Sequence, residues 1–254
     1  MRNKNKENTS ILICTLNEGK TIEHVVESCC KYNDGSEVIV IDDGSTDATE
    51  EIMRELQKTF SFVYEKLPQN MGKSWAMVRG VEMSSNDVIL FFDADILNVK
   101  EVHFEELLNP IYNSSTDMVL GQPSDTLLNH RINPFRSLSG QRALLKKDIL
   151  PILNDIREIR FGVETFINLY FKANGKDIHY VFLEGIKNPT KYEKTTPLEA
   201  TKEYLHEGQE IATTVIENYD LITQRIEYMI KNNNDHIKDV IVKLQKKLIK
   251  SWNN

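Results

Sequence analysis

The chain has 254 residues, a formal net charge of −7, 40% hydrophobic residues and 27% charged residues. The apolar fraction excludes disorder as the main state, because such a chain can build a core. The acidic balance excludes a dedicated nucleic-acid binder, which needs a basic surface. Three cysteines, two of them adjacent, form a poor disulfide framework, so we expect a reducing cytoplasmic setting.

Strands and helices alternate through the first half of the chain. Apolar runs predict four strands, at Ser10–Leu16, Glu37–Ile41, Phe60–Glu65 and Asp87–Phe92. Helical spacing predicts helices at Glu18–Cys30, from a cap at Ser45 or Thr46 to about Lys58, and at Lys73–Met83. This alternation predicts an α/β fold with a mostly parallel central sheet and helices on both faces.

The second half of the chain is less regular. The patterns predict strands at Asp117–Gly121 and Ile178–Leu183, and helices at Ser139–Leu150, Val163–Asn174, Pro197–Ile230 and Asp235–Trp252. We therefore expect an α/β domain over residues 1–195 and a C-terminal helical extension over residues 196–254. No apolar run is long enough to cross a bilayer, and residues 1–10 lack an apolar signal core, so we expect neither export nor a membrane span.

Polar residues follow three of the predicted strands. They are Asn17 and Glu18, Asp42 and Asp43, and Asp93 and Asp95. Ligands of open α/β sheets bind at the carboxyl ends of the strands, so these side chains predict a binding site there.

Each of these polar segments has a functional and a structural interpretation. Asp93 and Asp95 suit Mg²⁺ or Mn²⁺, which take oxygen ligands and often share them with a diphosphate, or they form a solvated turn. The segment Asp42–Asp47 suits a base or ribose, or it is a helix cap with a glycine turn. Lys73 and the amides before it suit phosphate oxygens, or Lys73 is simply exposed.

Four stretches in this order resemble the family 2 glycosyltransferases: TLNE (Thr15–Glu18), VIVIDDGSTDAT (Val38–Thr49), NMGKSWAMVRG (Asn70–Gly80) and ILFFDAD (Ile89–Asp95). The resemblance implies a GT-A fold over roughly residues 10–195. It also implies that Glu18 and Asp43 hold the nucleoside, Lys73 the diphosphate, and Asp93 and Asp95 the ribose and metal. The donor-binding residues are then Thr15, Glu18, Asp42, Asp43, Lys73 and Asp93.

Two further stretches are similar to dolichol-phosphate-mannose-synthase-like and glucosyl-3-phosphoglycerate-synthase-like enzymes. Leu138–Ala143 resembles their S-G-x-R acceptor loop, and Phe161–Glu164 resembles their (Y/F)-G-x-E element. The resemblance implies acceptor contacts from Ser139, Gly140, Gln141 and Arg142, and catalytic roles for Arg142, Glu164 and Asp95. Glu164 would be a hydroxyl ligand or general base. The structural alternative for Arg142 is an exposed arginine on a turn, and that for Glu164 is a carboxylate that favours a helix N-terminus.

A third metal ligand is implied by the stretch Gly185–Lys194, which resembles a segment of related bacterial proteins with a histidine ligand. Here that position is Asn188, whose carbonyl oxygen is a weaker ligand for Mg²⁺ or Mn²⁺. The implied metal residues are Asp93, Asp95 and Asn188, and we expect weaker metal binding or altered activity.

The motifs together predict a metal-dependent hexosyltransferase that moves a sugar from a UDP- or GDP-linked donor to a phosphate-containing acceptor. Polyprenyl phosphate and a soluble acceptor such as 3-phosphoglycerate both stay open, as does a catalytically weak nucleotide-sugar binding protein. A nucleotidyltransferase is disfavoured, because no glycine-rich loop follows the first strand.

The last predicted helix bears on the choice of acceptor. Residues 232–254 contain five lysines and two aspartates, a net charge of +3. This amphipathic helix predicts either peripheral binding at the inner face of a membrane or packing against the core or a second subunit of a homodimer.

Overall fold

The computed structural model describes residues 8–32, 35–125, 139–159, 162–187, 202, 206, 208–209 and 212–231. Its strands are β1 Thr9–Thr15, β2 Glu37–Asp42, β3 Val63–Lys66, β4 Val88–Asp93, β5 Met118–Asp125, β6 Arg142–Leu145 and β7 Ile178–Lys187. Its helices are α1 Ile22–Tyr32, α2 Thr49–Leu56, α3 Lys73–Met83, α4 Glu101–Tyr112, α5 Lys146–Ile149, α6 Leu153–Glu158, α7 Val163–Ala173 and α8 Tyr219–Lys231.

The strands form a single seven-stranded sheet in the order β3-β2-β1-β4-β6-β5-β7. Strand β6 runs antiparallel to its neighbours β4 and β5, while the other described pairs are parallel. The first four strands are joined by helical crossovers, which parallel neighbours require. The prediction of a mostly parallel α/β sheet is therefore confirmed.

Two hydrophobic clusters cover the two faces of the sheet. Ile11 and Ile13 of β1 belong to a cluster that includes α1, α2 and α4. Leu12, between them, belongs to the opposite cluster with α3, α6 and α7. Because successive side chains of a strand point to opposite faces, a strand buried on both sides has consecutive apolar residues, as β1 has at Ile11, Leu12 and Ile13.

One predicted helix is wrong in its first part. The segment Ser139–Leu150 was expected to be helical, but Arg142–Leu145 forms β6, inserted between β4 and β5. A helix begins only at Lys146 and is four residues long. The hydrogen bonds to the neighbouring strands outweigh the local helical preference of this short apolar run.

Two other details differ from the sequence-based expectations. Helix α4 was not predicted, although Phe104, Leu107, Leu108 and Ile111 are buried at helical spacing around Pro110. The predicted cap at Ser45 or Thr46 is also wrong, since α2 begins at Thr49. There the Asp47 carboxylate accepts the Thr49 backbone N–H at 3.0 Å.

Helical structure in the predicted C-terminal extension is confirmed where the structure describes it, at residues 212–217 and in α8. Leu221 of α8 packs against the cluster that contains α7. The predicted helix Asp235–Trp252 lies outside the described residues, and the division at residue 195 stays a prediction. Within the described part of the chain, every helix is too short or too polar to cross a bilayer.

Candidate active site

The predicted polar clusters meet at one edge of the sheet. In the parallel pairing, Thr15 of β1 lies opposite Asp42 of β2, and Cys14 lies opposite Asp93 of β4. The expectation that these strand ends come together is therefore confirmed.

Lys73 links two acidic side chains from different elements. Its Nζ lies 3.1 Å from Asp93 Oδ1, at the end of β4, and 2.7 Å from Glu164 Oε1, in the first turn of α7. Lys73 is itself the first residue of α3, after Gly72 with φ 99°. Glycine adopts this left-handed backbone without strain, which allows the turn to lead directly into the helix. Lys73 is exposed and follows a turn, as the structural interpretation had it, but its ammonium is engaged by two carboxylates.

The charged groups of this cluster shift the pKa values of one another. Burial lowers the pKa of Lys73, but Asp93 and Glu164 outweigh it and raise that pKa above its ordinary value. Burial raises the pKa of Glu164, but Lys73 and Arg142 outweigh it, so the pKa lies below its ordinary value. Burial raises the pKa of Asp93 despite the opposing charge of Lys73. The Lys73–Glu164 pair is consequently ionised at neutral pH.

The turn of residues 139–141 packs directly against Asp93. Gln141 Nε2 donates to Asp93 Oδ2 at 3.0 Å. The Ser139 hydroxyl lies within hydrogen-bond distance of two acceptors, Gln141 Oε1 at 2.6 Å and the Gly121 carbonyl oxygen, which share its single proton. A Cβ atom added at Gly140 would lie 1.9 Å from Asp93 Oδ1. Only glycine fits at this position without displacement of the carboxylate.

Arg142 is fully buried, which contradicts the alternative of an exposed arginine on a turn. Its Nη2 donates to the Ser139 carbonyl oxygen at 2.8 Å. Its Nε and Nη1 have no hydrogen-bond partner among the described residues. Burial lowers the pKa of Arg142, and the charges of Glu164 and Asp93 oppose that shift. Buried donors without partners are costly, so these two nitrogen atoms keep an unused capacity to donate hydrogen bonds.

Asp42 and Asp43 hold the neighbouring loops in place. Asp42 accepts hydrogen bonds from the Ser45 backbone N–H and the Tyr64 hydroxyl, both at 2.7 Å. Asp43 accepts the backbone N–H groups of Met71 at 2.7 Å and Gly72 at 2.8 Å. Burial raises the pKa of Asp43, and these two backbone donors oppose the shift. The Asp43 carboxylate therefore positions the segment that leads into α3, and the Asp42 carboxylate holds the loop after β2 and the tyrosine of β3. Contact of either with a nucleoside stays a prediction.

The loop after β1 contains the remaining predicted donor residues. The Thr15 hydroxyl is buried and has no hydrogen-bond partner among the described residues. Glu18 is half-buried, and its Oε2 accepts from the Thr21 hydroxyl at 3.3 Å. Asn17, with φ 57°, accepts the Thr46 backbone N–H at 2.8 Å and so ties this loop to the one after β2.

The predicted metal residues are only partly described. Asp95 is half-buried, two residues beyond Asp93, and its charge raises the pKa of Asp93. Asn188 lies outside the described residues. Among the residues described, no three acidic, histidine or cysteine side chains form a ready-made metal cluster. The carboxylate oxygen atoms of Asp93 and Asp95 suit a hard cation. The Lys73 ammonium is a positive charge that already contacts Asp93.

Cys14 belongs to this site but was not predicted to. Burial raises the pKa of its thiol to about 12, with Lys73 opposing and Asp93, Asp43 and Glu164 adding to the shift. The signal in the sequence was its place one residue before Thr15, at the end of an apolar strand.

A family model described as glycosyl transferase family 2 matches residues 10–177. The chain therefore belongs to glycosyl transferase family 2, as its motifs predicted. Poly-beta-1,6-N-acetyl-D-glucosamine synthase of Staphylococcus epidermidis is 30% identical over 179 residues, 68% of this chain and 42% of that protein. The same synthase of Staphylococcus aureus (strain COL) is 29% identical over 119 residues, 46% of this chain and 29% of that protein. The chain thus matches less than half the length of these relatives.

Solved structures with the same fold include glucosyl-3-phosphoglycerate synthase from Mycobacterium tuberculosis. Its complex with Mn²⁺, uridine diphosphate and phosphoglyceric acid has a TM-score of 0.63 at 22% identity, over 83% of this chain and 78% of that one. A further structure of that enzyme has a TM-score of 0.55 at 26% identity, over 70% of each chain. The prediction of a GT-A fold is confirmed.

Proposed function

We propose that this chain is a divalent-metal-dependent glycosyltransferase that moves a hexose from a nucleoside diphosphate sugar to a phosphate-containing acceptor. One observation carries the proposal. Lys73, Asp93 and Glu164 are joined in one cluster beside the two unpartnered nitrogen atoms of Arg142. Membership of glycosyl transferase family 2 supports the reaction class.

The donor diphosphate is assigned to Lys73, Asp93 and Asp95. Mg²⁺ or Mn²⁺ would be held by the two aspartates, with Asn188 as the predicted third ligand, and it would supply positive charge that stabilises the leaving diphosphate. Lys73 adds a second positive charge and three N–H donors at the same place. The structural relative that binds Mn²⁺ together with uridine diphosphate supports this assignment.

The nucleoside is assigned to the loops after β1 and β2. The unpartnered Thr15 hydroxyl and the half-buried Glu18 carboxylate supply a donor and acceptors there. Asp42 and Asp43 keep the two loops in place through their contacts to Ser45, Tyr64, Met71 and Gly72.

The acceptor is assigned to Arg142 and Glu164. The free Nε and Nη1 of Arg142 form part of a planar fork that matches phosphate oxygens. Glu164 is ionised at neutral pH and can accept a hydrogen bond from an acceptor hydroxyl. Because Lys73 and Arg142 lower its pKa, Glu164 is a weak base, so orienting the hydroxyl is favoured over full proton removal.

A soluble phosphorylated acid is the acceptor with the most support, because a structural relative was solved with phosphoglyceric acid. Polyprenyl phosphate presents the same phosphate chemistry from a membrane. It would require vesicle binding that is lost when residues 235–254 are deleted. A sugar hydroxyl is a second candidate acceptor, since the relatives with 29–30% identity are synthases of an N-acetylglucosamine polymer.

The reaction is tested by incubating the protein with UDP-glucose, UDP-N-acetylglucosamine or GDP-mannose, Mn²⁺ and each acceptor. We expect release of a nucleoside diphosphate that needs both Mn²⁺ and one acceptor. Asp95→Ala should lower turnover about 100-fold or more, because charge stabilisation at the leaving group is lost. The matched control is Asp87→Ala, an exposed aspartate just before the same strand, which should keep full activity.

Three results would contradict the proposal. Asp95→Ala with unchanged turnover removes the metal assignment. Release of pyrophosphate in place of a nucleoside diphosphate identifies a nucleotidyltransferase. Tight nucleotide binding without turnover or metal effect identifies a binding protein.

A further inference from the structure

The Asp93 carboxylate is held at both oxygen atoms. Oδ1 accepts from Lys73 Nζ at 3.1 Å, and Oδ2 accepts from Gln141 Nε2 at 3.0 Å. The Asp93 side chain is 16% exposed, so few water molecules compete for these bonds. A carboxylate with one donor on each oxygen cannot rotate freely, and its remaining lone pairs keep one direction.

Gln141 is itself fixed in one orientation. It is 1% exposed, and its Oε1 lies 2.6 Å from the Ser139 hydroxyl. An ionised carboxylate only accepts hydrogen bonds, so the amide nitrogen must face Asp93 and the amide oxygen must face Ser139. The Ser139 hydroxyl also reaches the Gly121 carbonyl oxygen of β5, which anchors the turn to the sheet.

The satisfied amide of Gln141 contrasts with its neighbour Arg142. Gln141 has a protein partner for its nitrogen and for its oxygen, whereas Arg142 keeps two nitrogen atoms without partners among the described residues. Gly140 lies so close to Asp93 that any side chain there would collide with the carboxylate. The turn is therefore divided: Gly140 and Gln141 lie against Asp93, and Arg142 has the capacity to bind an anion.

We propose that Gln141 is a positioning residue for Asp93 and makes no direct contact with the acceptor. The proposal rests on the proposed function, in which Asp93 holds the divalent cation. Hydrogen-bonded partners of a carboxylate ligand orient it, and their loss typically costs 10–100-fold in metal affinity or activity. Ser139 acts one step further out, because it holds Gln141.

The test is Mn²⁺ binding measured by calorimetry on the full chain in the presence of saturating UDP or GDP and without acceptor, because the donor diphosphate supplies part of the ligands of such an ion. Gln141→Met keeps the length of the side chain but removes the donor to Asp93. We expect its dissociation constant for Mn²⁺ to rise about 10–100-fold. The control is Gln57→Met, at the C-terminal end of α2, which removes an amide that donates to the Phe62 carbonyl oxygen at 3.3 Å and is not among the residues assigned to the site. That variant should bind Mn²⁺ like the wild type.

The serine that holds Gln141 gives a second, milder variant. Ser139→Ala should weaken Mn²⁺ binding in the same direction by a smaller factor, and Ser139→Thr should restore it by returning the hydroxyl. Because Ser139→Ala leaves Gln141 in place, it also tests the proposal if Gln141→Met does not fold.

Kinetics separate positioning from acceptor contact. With an acceptor that the wild-type protein glycosylates, Gln141→Met should lower kcat and leave the acceptor KM unchanged. Wild-type Mn²⁺ affinity in both variants, or a raised acceptor KM with normal Mn²⁺ affinity, would overturn the positioning role while the proposed function stands. A wild-type chain that binds no Mn²⁺ would instead overturn the proposed function, and the positioning role with it.

Discussion

At the scale of single residues, Lys73 accounts for the concentration of acidic side chains at the end of β4. Unpaired carboxylates in a half-buried site would repel one another and be costly to ionise. Lys73 contacts Asp93 and Glu164 at once and is 45% exposed, so it remains reachable for a phosphate. The same side chain can therefore stabilise the site without substrate and bind the donor.

Gly140 is predicted to be intolerant of even one added methyl group. Gly140→Ala places a Cβ atom 1.9 Å from Asp93 Oδ1, so the turn or the carboxylate must move. We expect a loss of about 1–3 kcal/mol in the free energy of unfolding, measured by denaturant titration, together with weaker Mn²⁺ binding.

The control for this change is Gly208→Ala, because nothing lies within 4 Å of a Cβ atom there. Gly208 is helical, so alanine should leave stability equal or raise it by up to about 1 kcal/mol. Equal stability of Gly140→Ala and the wild type would show that the turn does not pack against Asp93 in solution.

The cysteines are predicted to be unreactive in the folded protein near pH 8. Burial raises the pKa of Cys14 to about 12 and that of Cys30 to about 11, from an ordinary value of 9.0. For Cys14 the thiolate fraction at pH 8 is then about a thousandfold below that of an exposed thiol. Iodoacetamide followed by mass spectrometry should label Cys14 slowly in the native state and rapidly in guanidinium chloride.

The raised pKa values of the thiols also determine how the stability of the folded protein changes at alkaline pH. A thiol whose pKa is raised by folding ionises more easily in the unfolded chain, so its contribution to stability falls as pH rises above about 9. Rapid labelling of Cys14 in the native protein at pH 8 would contradict this burial.

Sequence reasoning identified most members of the site but few of their contacts. Asp93, Lys73 and Glu164 were each assigned from a local motif, and the structure brings them together. Their mutual bonds depend on how β4, α3 and α7 pack, which no local pattern encodes. Gln141 was assigned to the acceptor because it lies in the S-G-x-R stretch beside Arg142. Its bond to Asp93 could not be predicted, because it depends on how β6 packs beside β4.

At the scale of elements, the start of α7 depends on a glycine pressed against the C-terminal helical residues. Gly162 has φ 74°, and a Cβ atom there would lie 2.3 Å from the Thr214 hydroxyl oxygen. Glu164 follows two residues later, so this contact sets where the helix presents its carboxylate.

Gly162→Ala is predicted to be more destabilising than Gly185→Ala. Both glycines have positive φ, at 74° and 82°, so both variants bear the left-handed backbone strain of about 1–2 kcal/mol. Only Gly162 is crowded, whereas a Cβ atom added at Gly185 would meet nothing within 4 Å beyond its chain neighbours. Denaturant titration should show an excess loss of about 1 kcal/mol or more for Gly162→Ala.

The added variant Thr214→Ala removes the nearest atom and should recover part of that excess. An equal loss for the two glycine variants, with no recovery, would mean that Thr214 does not pack on α7.

The elements were predictable where burial is continuous and less so elsewhere. Strands β1, β2 and β4 each contain a continuous run of buried apolar residues and were predicted to within about one residue at each end. Strand β6 was mistaken for a helix because its four residues take their conformation from β4 and β5. Helix α4 was missed although its buried residues have helical spacing, with Pro110 in its last turn.

At the scale of the whole molecule, the net charge of −7 conceals two different kinds of acidic residue. The Asp42 and Asp43 carboxylates make structural contacts, because their oxygen atoms accept hydrogen bonds from backbone and tyrosine donors. Asp93 and Glu164 are bonded to a lysine that a ligand can engage. Peripheral binding at a membrane through residues 235–254 stays a prediction, to be measured by vesicle sedimentation of the full and truncated chains.

Binding of a nucleoside diphosphate that depends on a divalent cation is the property that the proposed function requires. The direct measurement is the melting temperature with UDP or GDP, with and without Mn²⁺, for the wild type and Asp95→Ala. At a ligand concentration of 100 times the dissociation constant, binding stabilises the native state by about 2.7 kcal/mol. For a chain of this size that corresponds to a rise of about 5–10 °C.

We expect one nucleotide to give this rise only when Mn²⁺ is present, and Asp95→Ala to lose the part that depends on Mn²⁺. A melting temperature that no nucleoside diphosphate changes, or an equal rise in Asp95→Ala, would contradict a metal-dependent donor site at the end of β4.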